Sequence, residues 1–264
     1  MNTAVPFALD GGEKEIFYLD EKTASCLTSE EVGYLTSKQV IAEAGALREL
    51  ALAGYDLGGI SVRPVVGDDA YFLTERFENH PISGGNVGKL WRSVYYTTLL
   101  LRLPQYIICG EDLEIFSEFK TASNDFYGHA GVIAKMPAGG KWAVFGNNLG
   151  CSILCTAKRE QILDTAEYIL GHKLPARLET AIPSVLLPRC GSDGKVRCVS
   201  ILNRTPGSSG ELKLHIEKPC GKQFVFMSQT VGETPVNPIA YDENGVTLTL
   251  PAIDGWSVGS VFSE

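Results

Sequence analysis

The last eighty-odd residues break into short apolar strands at near-regular intervals, and that spacing restricts this part of the chain to an all-β packing. The strands are expected at 195–202, 210–217, 222–228, 236–241, 245–250 and 255–262, with 182–187 as a first. Leu212, Leu214 and Ile216 alternate with polar residues, as do Val246, Leu248 and Leu250, so each strand has one buried and one wet face. Seven strands at roughly ten-residue spacing match a β-sandwich of immunoglobulin-like type.

The preceding residues mix periods. Residues 15–19 form a compact apolar run suited to a buried strand. Thr28 with Glu31 and Thr36 with Gln39 each have the spacing of a capping box, predicting two helix starts. The second helix would carry Val40, Ala44, Leu47 and Ala51 on one stripe and stop at Gly54. Strands follow at 60–66, 70–77, 93–103, 106–109, 114–119, 129–136 and 141–146, with Met136 to Lys141 as a hairpin turn. A last helix is capped by Thr156, shows Ile162, Ala166 and Ile169 on one face, and closes at Gly171. Residues 172–188, with Pro175, Pro183 and Pro188, read as a junction. The expected organisation is an α/β (or α+β) domain over 1–174 and the sandwich over 175–264.

A hydrophobic content of 44% and a charged content of 20% describe an ordinary globular chain of 264 residues. The net charge of −8, with scattered basic residues, argues against nucleic acid or anionic membrane as partner. The longest apolar cluster, 99–103, is cut by Arg102 and Pro104, so no membrane span is expected. Residues 1–7 lack the basic start and apolar run of a signal peptide, and the expectation is cytoplasmic. The seven cysteines (Cys26, Cys109, Cys151, Cys155, Cys190, Cys198 and Cys220) form no CxxC pair. They read as small buried hydrophobes in a reducing compartment, and no metal or cofactor is expected.

Three features could carry chemistry. Cys109 ends a strand, where a nucleophile elbow would sit, but Ile107 and Glu111 stand where the elbow needs glycines, so it reads as a packed cysteine. His80, ahead of Pro81, reads as a turn-former bonded to the loop backbone, while His129, His172 and His215 have no carboxylate at suggestive spacing. Glu75, Glu78, Glu111, Asp112, Glu114 and Glu118 supply carboxylates, yet nothing selects the facing pair a glycosidase needs, and a solvated acidic face is the expectation. For stacking on a sugar, Trp91 is the more exposed candidate and Trp142 reads as core, with Trp256 the third. Asn203-Arg-Thr205 matches a glycosylation sequon, a pattern common by chance.

The order of segments is also informative. A strand leads to Ala-Gly-Gly-Lys-Trp-Ala-Val-Phe-Gly at 138–146, then a helix ends in Glu-Tyr-Ile-Leu-Gly-His before Lys-Leu-Pro-Ala-Arg-Leu-Glu at 173–179. Lys-Val-Arg-Cys-Val-Ser-Ile-Leu-Asn-Arg-Thr at 195–205, Asn-Gly-Val-Thr-Leu-Thr-Leu-Pro at 244–251 and Gly-Trp-Ser-Val-Gly-Ser-Val-Phe at 255–262 follow. Phe-Tyr-Leu-Asp-Glu-Lys-Thr-Ala at 17–24 and Thr-Glu-Arg-Phe-Glu-Asn-His-Pro-Ile at 74–82 fit the same order. The whole resembles the C-terminal portion of large bacterial glycoside hydrolases of the family 42 β-galactosidase arrangement. There a catalytic barrel precedes a class I glutamine-amidotransferase-like α/β domain and a β-sandwich. The resemblance implies a non-catalytic accessory region, with the front of the amidotransferase-like domain missing and glutaminase Cys-His-Glu chemistry unmatched at Cys109. Its partners would be a catalytic barrel, a second copy of the chain, or a carbohydrate. The alternatives are a carbohydrate-binding module and a small hydrolase or amidotransferase using Cys109 or His80.

Overall fold

The computed structural model describes residues 16–66, 73–91, 105–152 and 155–264, without the side chains of 151–152. Contacts divide the chain into Met1–His172 and Lys173–Glu264. The predicted strand at 93–103 and the first residues of the one at 70–77 lie outside the described residues.

Among the described residues the first unit is built on a mixed sheet of nine strands, mostly antiparallel, with few helices around it. Strand β1 (Ile16–Leu19) leads through helices α1 (Glu21–Ala24) and α2 (Ser29–Leu35) to β2 (Gln39–Glu43), which pairs with it in parallel. Helix α3 (Ala44–Leu52) follows at once. The capping box predicted at Thr28 and Glu31 forms, Glu31 Oε2 accepting from the Thr28 N–H at 2.8 Å. The one predicted at Thr36 does not. Thr36 ends α2, and Gln39–Glu43 is a strand instead of the first turn of a helix. The run Val40-Ile41-Ala42 is buried on both faces of a sheet, and β-branched residues in such a run suit a parallel strand better than a helix.

The remaining strands are β3 (Ser61–Pro64), β4 (Thr74–Phe77), β5 (Leu90–Trp91), β6 (Tyr106–Cys109), β7 (Glu114–Lys120), β8 (Phe126–Lys135) and β9 (Lys141–Phe145). The main path runs β1-β2-β9-β8-β7-β4-β5, with β6 joining β8 to β3 at the side. The β8–β9 hairpin turns between Met136 and Gly140, the Met136 N–H donating to the Gly140 carbonyl at 2.8 Å. Because β9 is antiparallel to β8 but parallel to β2, it joins the antiparallel part of the sheet to a three-stranded parallel edge. Trp142 on β9 is fully buried in the core with Leu19, Val40, Leu47 and Ile108, and its indole N–H donates to the Leu35 carbonyl at 3.1 Å. After the short helix α4 (Leu149–Ser152), helix α5 (Thr156–Leu170) closes the unit. Its cap position is Cys155 and not Thr156, and its end at Gly171 takes the left-handed conformation, φ 75°, that glycine tolerates.

The second unit is a sandwich of two antiparallel sheets. One holds β10 (Ala176–Leu178), β13 (Leu212–Glu217), β17 (Gly245–Leu250) and β16 (Pro238–Tyr241). The other holds β11 (Ser184–Cys190), β12 (Val196–Asn203), β18 (Val258–Ser263), β14 (Phe224–Ser228) and β15 (Gly232–Val236). Leu212, Leu214, Ile216, Val246 and Leu248 from one sheet meet Val199, Ile201, Phe226 and Val261 from the other in one core. Residues 172–188, read from sequence as a junction with a first strand at 182–187, contribute β10 as well as part of β11, since prolines are tolerated at strand margins and edges. The expected strand at 236–241 is two strands, broken between Val236 and Pro238.

The sequon asparagine has a structural occupation. Asn203 is fully buried, its Nδ2 reaching the carbonyls of Gly207, Ile253 and Asp254 at 2.9, 2.9 and 3.1 Å. Its Oδ1 accepts from the Thr205 N–H and hydroxyl. Among the described residues no helix is long and apolar enough to cross a membrane. Trp142→Ala is expected to lower the unfolding free energy by about 3–5 kcal/mol in denaturant titrations.

Candidate functional site

In open α/β sheets ligands collect beyond the carboxyl ends of parallel strands. Here β1, β2 and β9 deliver Asp20, Glu43 and Gly146 to one such edge, around a cavity of about 400 Å³. Glu21, Lys22, Tyr106, Asn147 and Asn148 complete its polar lining. Two glycines on its lining have no room for a side chain. A Cβ on Gly45 would come within 2.4 Å of the Glu21 carboxylate, and one on Gly146 within 2.3 Å of the Tyr106 carbonyl.

Glu43 stands at the turn from β2 into α3 and is almost fully buried. One of its oxygens accepts from the Tyr18 hydroxyl at 2.5 Å and the Leu149 N–H at 2.8 Å, and the other from Asn148 Nδ2 at 3.2 Å. Burial raises its pKa above the ordinary carboxyl value, and the Asp20 charge adds to this, against the lowering effect of those bonds. Burial likewise raises Tyr106, whose hydroxyl points at Glu21 across 3.5 Å. Asp20 accepts from the Thr23 N–H at 2.7 Å and so is fixed at the rim.

Asn147 connects this cavity to a buried ion pair. Its Nδ2 donates to Glu75 at 2.7 Å, and its Oδ1 accepts from Gln105 at 3.1 Å. Glu75 on β4 takes both 2.9 Å bonds from Lys158 Nζ on α5, which also donates to Gln161 at 2.6 Å. The ammonium lies 5.1–5.8 Å from the ring centres of Phe77, Trp91 and Phe145, within cation–π range. Desolvation pulls the Lys158 pKa down while Glu75 opposes it.

The residues singled out from sequence do not converge. Glu75 is 1% exposed and paired, which corrects the reading of it as part of a solvated acidic face. Its neighbours do fit that reading in part: Glu78 pairs with Arg76, and Glu118 with Lys120. Glu111, Asp112 and Glu114 line a separate open groove with Lys135 and Lys141. Glu114 accepts from the Tyr168 hydroxyl at 2.6 Å, and that bond pushes the phenol up to about 12. His80 caps the short 3-10 helix Pro81–Asn86, its Nδ1 accepting from the Ile82 N–H at 3.2 Å, and its ring meets Tyr168 edge-on.

Cys109 ends β6 half-buried. The expectation of buried cysteines fails: Cys26 and Cys190 are exposed, and Cys155, Cys198 and Cys220 are half-buried like Cys109. Cys109, Cys190 and Cys198 lie on strands, whose wet faces leave them accessible, while Cys155 holds the cap position of α5 and Cys26 and Cys220 lie outside helix and strand. Trp91 is half-buried against Lys158, whereas Trp256 is the exposed tryptophan, at 66%. His215, read as isolated, lies 3.4 Å from Glu217, because residues two apart on a strand share a face. Sequence reasoning missed Asp20, Glu43 and Asn147. The available signal was an acid following each of two apolar runs, Tyr18-Leu19-Asp20 and Ile41-Ala42-Glu43, once the second is read as a strand.

No protein-family model and no curated protein matches the sequence. Among solved structures, the chain is similar to an α-L-fucosidase isoenzyme 2 from Paenibacillus thiaminolyticus. The TM-score is 0.57 at 10% identity, covering 95% of this chain and 41% of that one. It also matches a β-galactosidase from Bacillus circulans sp. alkalophilus (TM-score 0.45, 12% identity) and a GH42 β-galactosidase from G. stearothermophilus (0.46, 10%). Each covers 94% of this chain and 32% of its own. The chain shares the fold of part of that fucosidase and spans less than half the length of these proteins.

Two outcomes follow from this geometry. Lys158→Met alone, which strands the Glu75 charge, is expected to cost about 3–5 kcal/mol in chemical denaturation, and adding Glu75→Leu to recover most of it. A carboxyl whose folded pKa is raised binds its proton more tightly in the folded state. Stability therefore falls as pH rises from the ordinary value of 4.5 through the raised one. Glu43→Gln is expected to flatten that part of the stability–pH curve, measured by urea midpoints.

Proposed function

We propose that this chain is an accessory region of a glycoside-hydrolase-like protein, an amidotransferase-like α/β unit and a β-sandwich that support a catalytic barrel on another segment. The observation that carries this reading is the occupant of the β2–α3 turn. A strand-to-helix turn of this kind is where a hydrolase elbow presents its nucleophile. Here the position holds Glu43, whose oxygens are engaged by Tyr18, Asn148 and the Leu149 N–H. No cysteine or histidine is among the described residues lining the cavity beside it. The fold likeness to part of a fucosidase supports the glycosidase setting. The purified chain is expected to leave nitrophenyl fucosides and galactosides unhydrolysed above background. Turnover that disappears in Glu43→Gln or Asp20→Asn would overturn this reading.

The polar lining of the cavity favours a second reading, a carbohydrate-binding module. Asp20, Glu21 and Asn148 offer acceptors and an amide of the kind that meet sugar hydroxyls. Under this reading calorimetry detects fucose or galactose binding that Asn148→Ala abolishes, and Trp256→Ala leaves unchanged.

A further inference from the structure

The sandwich holds a cluster that neither the cavity nor the core uses. His215 and Glu217 lie on one face of β13, where β17 sets Thr247 opposite His215 and Gly245 opposite Glu217. Asp242, in the turn from β16 to β17, completes the group. His215 Nε2 is 3.4 Å from Glu217 Oε2 and 3.6 Å from Asp242 Oδ2, and the three atoms all lie within 4.8 Å of one another. The imidazole fits because residue 245 is glycine: a Cβ there would come within 2.6 Å of His215 Cε1 and Nε2.

We propose that His215, Glu217 and Asp242 bind a divalent first-row transition metal of the zinc type, through Nε2 and one oxygen from each carboxylate. Tetrahedral bonds of about 2.0–2.1 Å set neighbouring ligand atoms about 3.3–3.4 Å apart. The observed separations of 3.4 and 3.6 Å from Nε2 are close to that value, and the two carboxylate oxygens, within 4.8 Å of each other, draw together on binding the ion. One nitrogen and two carboxylates suit zinc, cobalt or manganese, whereas calcium demands six to eight oxygens. Outside the trio, Thr247 Oγ1 stands 3.2 Å from His215 Nδ1. An Nδ1–H donated there leaves the Nε2 lone pair facing the two carboxylates, the arrangement of a metal-binding histidine. Glu217 and His215 are mostly shielded from solvent, and the more exposed Asp242 leaves the fourth position open to water. The ion would tie the β16–β17 turn to β13.

The rival occupant of the space is a proton on Nε2, giving an imidazolium between two carboxylates, with Lys173 adding positive charge near Asp242. Titration of the chelator-stripped full chain separates the two, using zinc by calorimetry and cobalt by visible absorption. One saturable equivalent is expected, with a rise in the thermal midpoint. Asp242→Asn keeps the Oδ1 that accepts from the Asn244 and Gly245 N–H groups, so it leaves the turn intact. This variant and His215→Ala are each expected to weaken binding at least about tenfold. Replacing the exposed Cys26 and Cys190 by serine is expected to leave it unchanged. If His215→Ala does not fold, Asp242→Asn decides the matter. No saturable binding, or binding that Asp242→Asn leaves intact, overturns the site.

Discussion

The first unit depends on a charge pair shut away from water. An ammonium and a carboxylate at 1% exposure or less persist only if both are fully engaged. Glu75 is held by Lys158 and Asn147, and Lys158 in turn by Gln161 and three aromatic rings. The pair connects β4, on the antiparallel side of the sheet, to helix α5. Through Asn147 it also reaches the loop after β9, at the parallel edge. The floor of the cavity is therefore fixed by the same bonds that keep α5 on the sheet. Such a network favours one arrangement of its elements over others, since any slip strands a charge.

The cavity gains its character from what stands at the strand ends. Asp20 and Glu43 occupy the places where an α/β enzyme commonly carries its chemistry, and both are committed to local bonds. Tyr18, one strand over, spends its hydroxyl on Glu43. The result is a polar recess whose acids are positioned by the fold and whose amides, Asn147 and Asn148, remain at its wall.

Much of the architecture was legible in the sequence, because alternation and turn residues act locally. Leu212-Lys-Leu-His-Ile216 alternates and lies half-buried on a sheet, and Thr28 with Glu31 starts a helix, although the same spacing at Thr36 and Gln39 does not. What failed was decided at long range. Val40 stands at helical spacing from Ala44, Leu47 and Ala51, and only β1 and β9 on either side make Val40-Ile41-Ala42 a strand. The candidate sites were less legible for the same reason. Glu75 and Lys158 are 83 positions apart, and nothing in either neighbourhood announces the other. His215 and Glu217 are neighbours in sequence, yet Asp242 joins them only through the β13–β17 pairing and the turn beyond it.

The buried sequon has a consequence for how the chain can be made. In the finished sandwich the Asn203 amide has no surface and no free hydrogen to offer a sugar-transferring enzyme. Before folding, the same amide is accessible and its sequence is competent. Production through a eukaryotic secretory route therefore sets glycan addition against closure of the loop around Gly207 and Ile253. A chain modified first would carry a bulky polar group at a position the folded second unit buries completely.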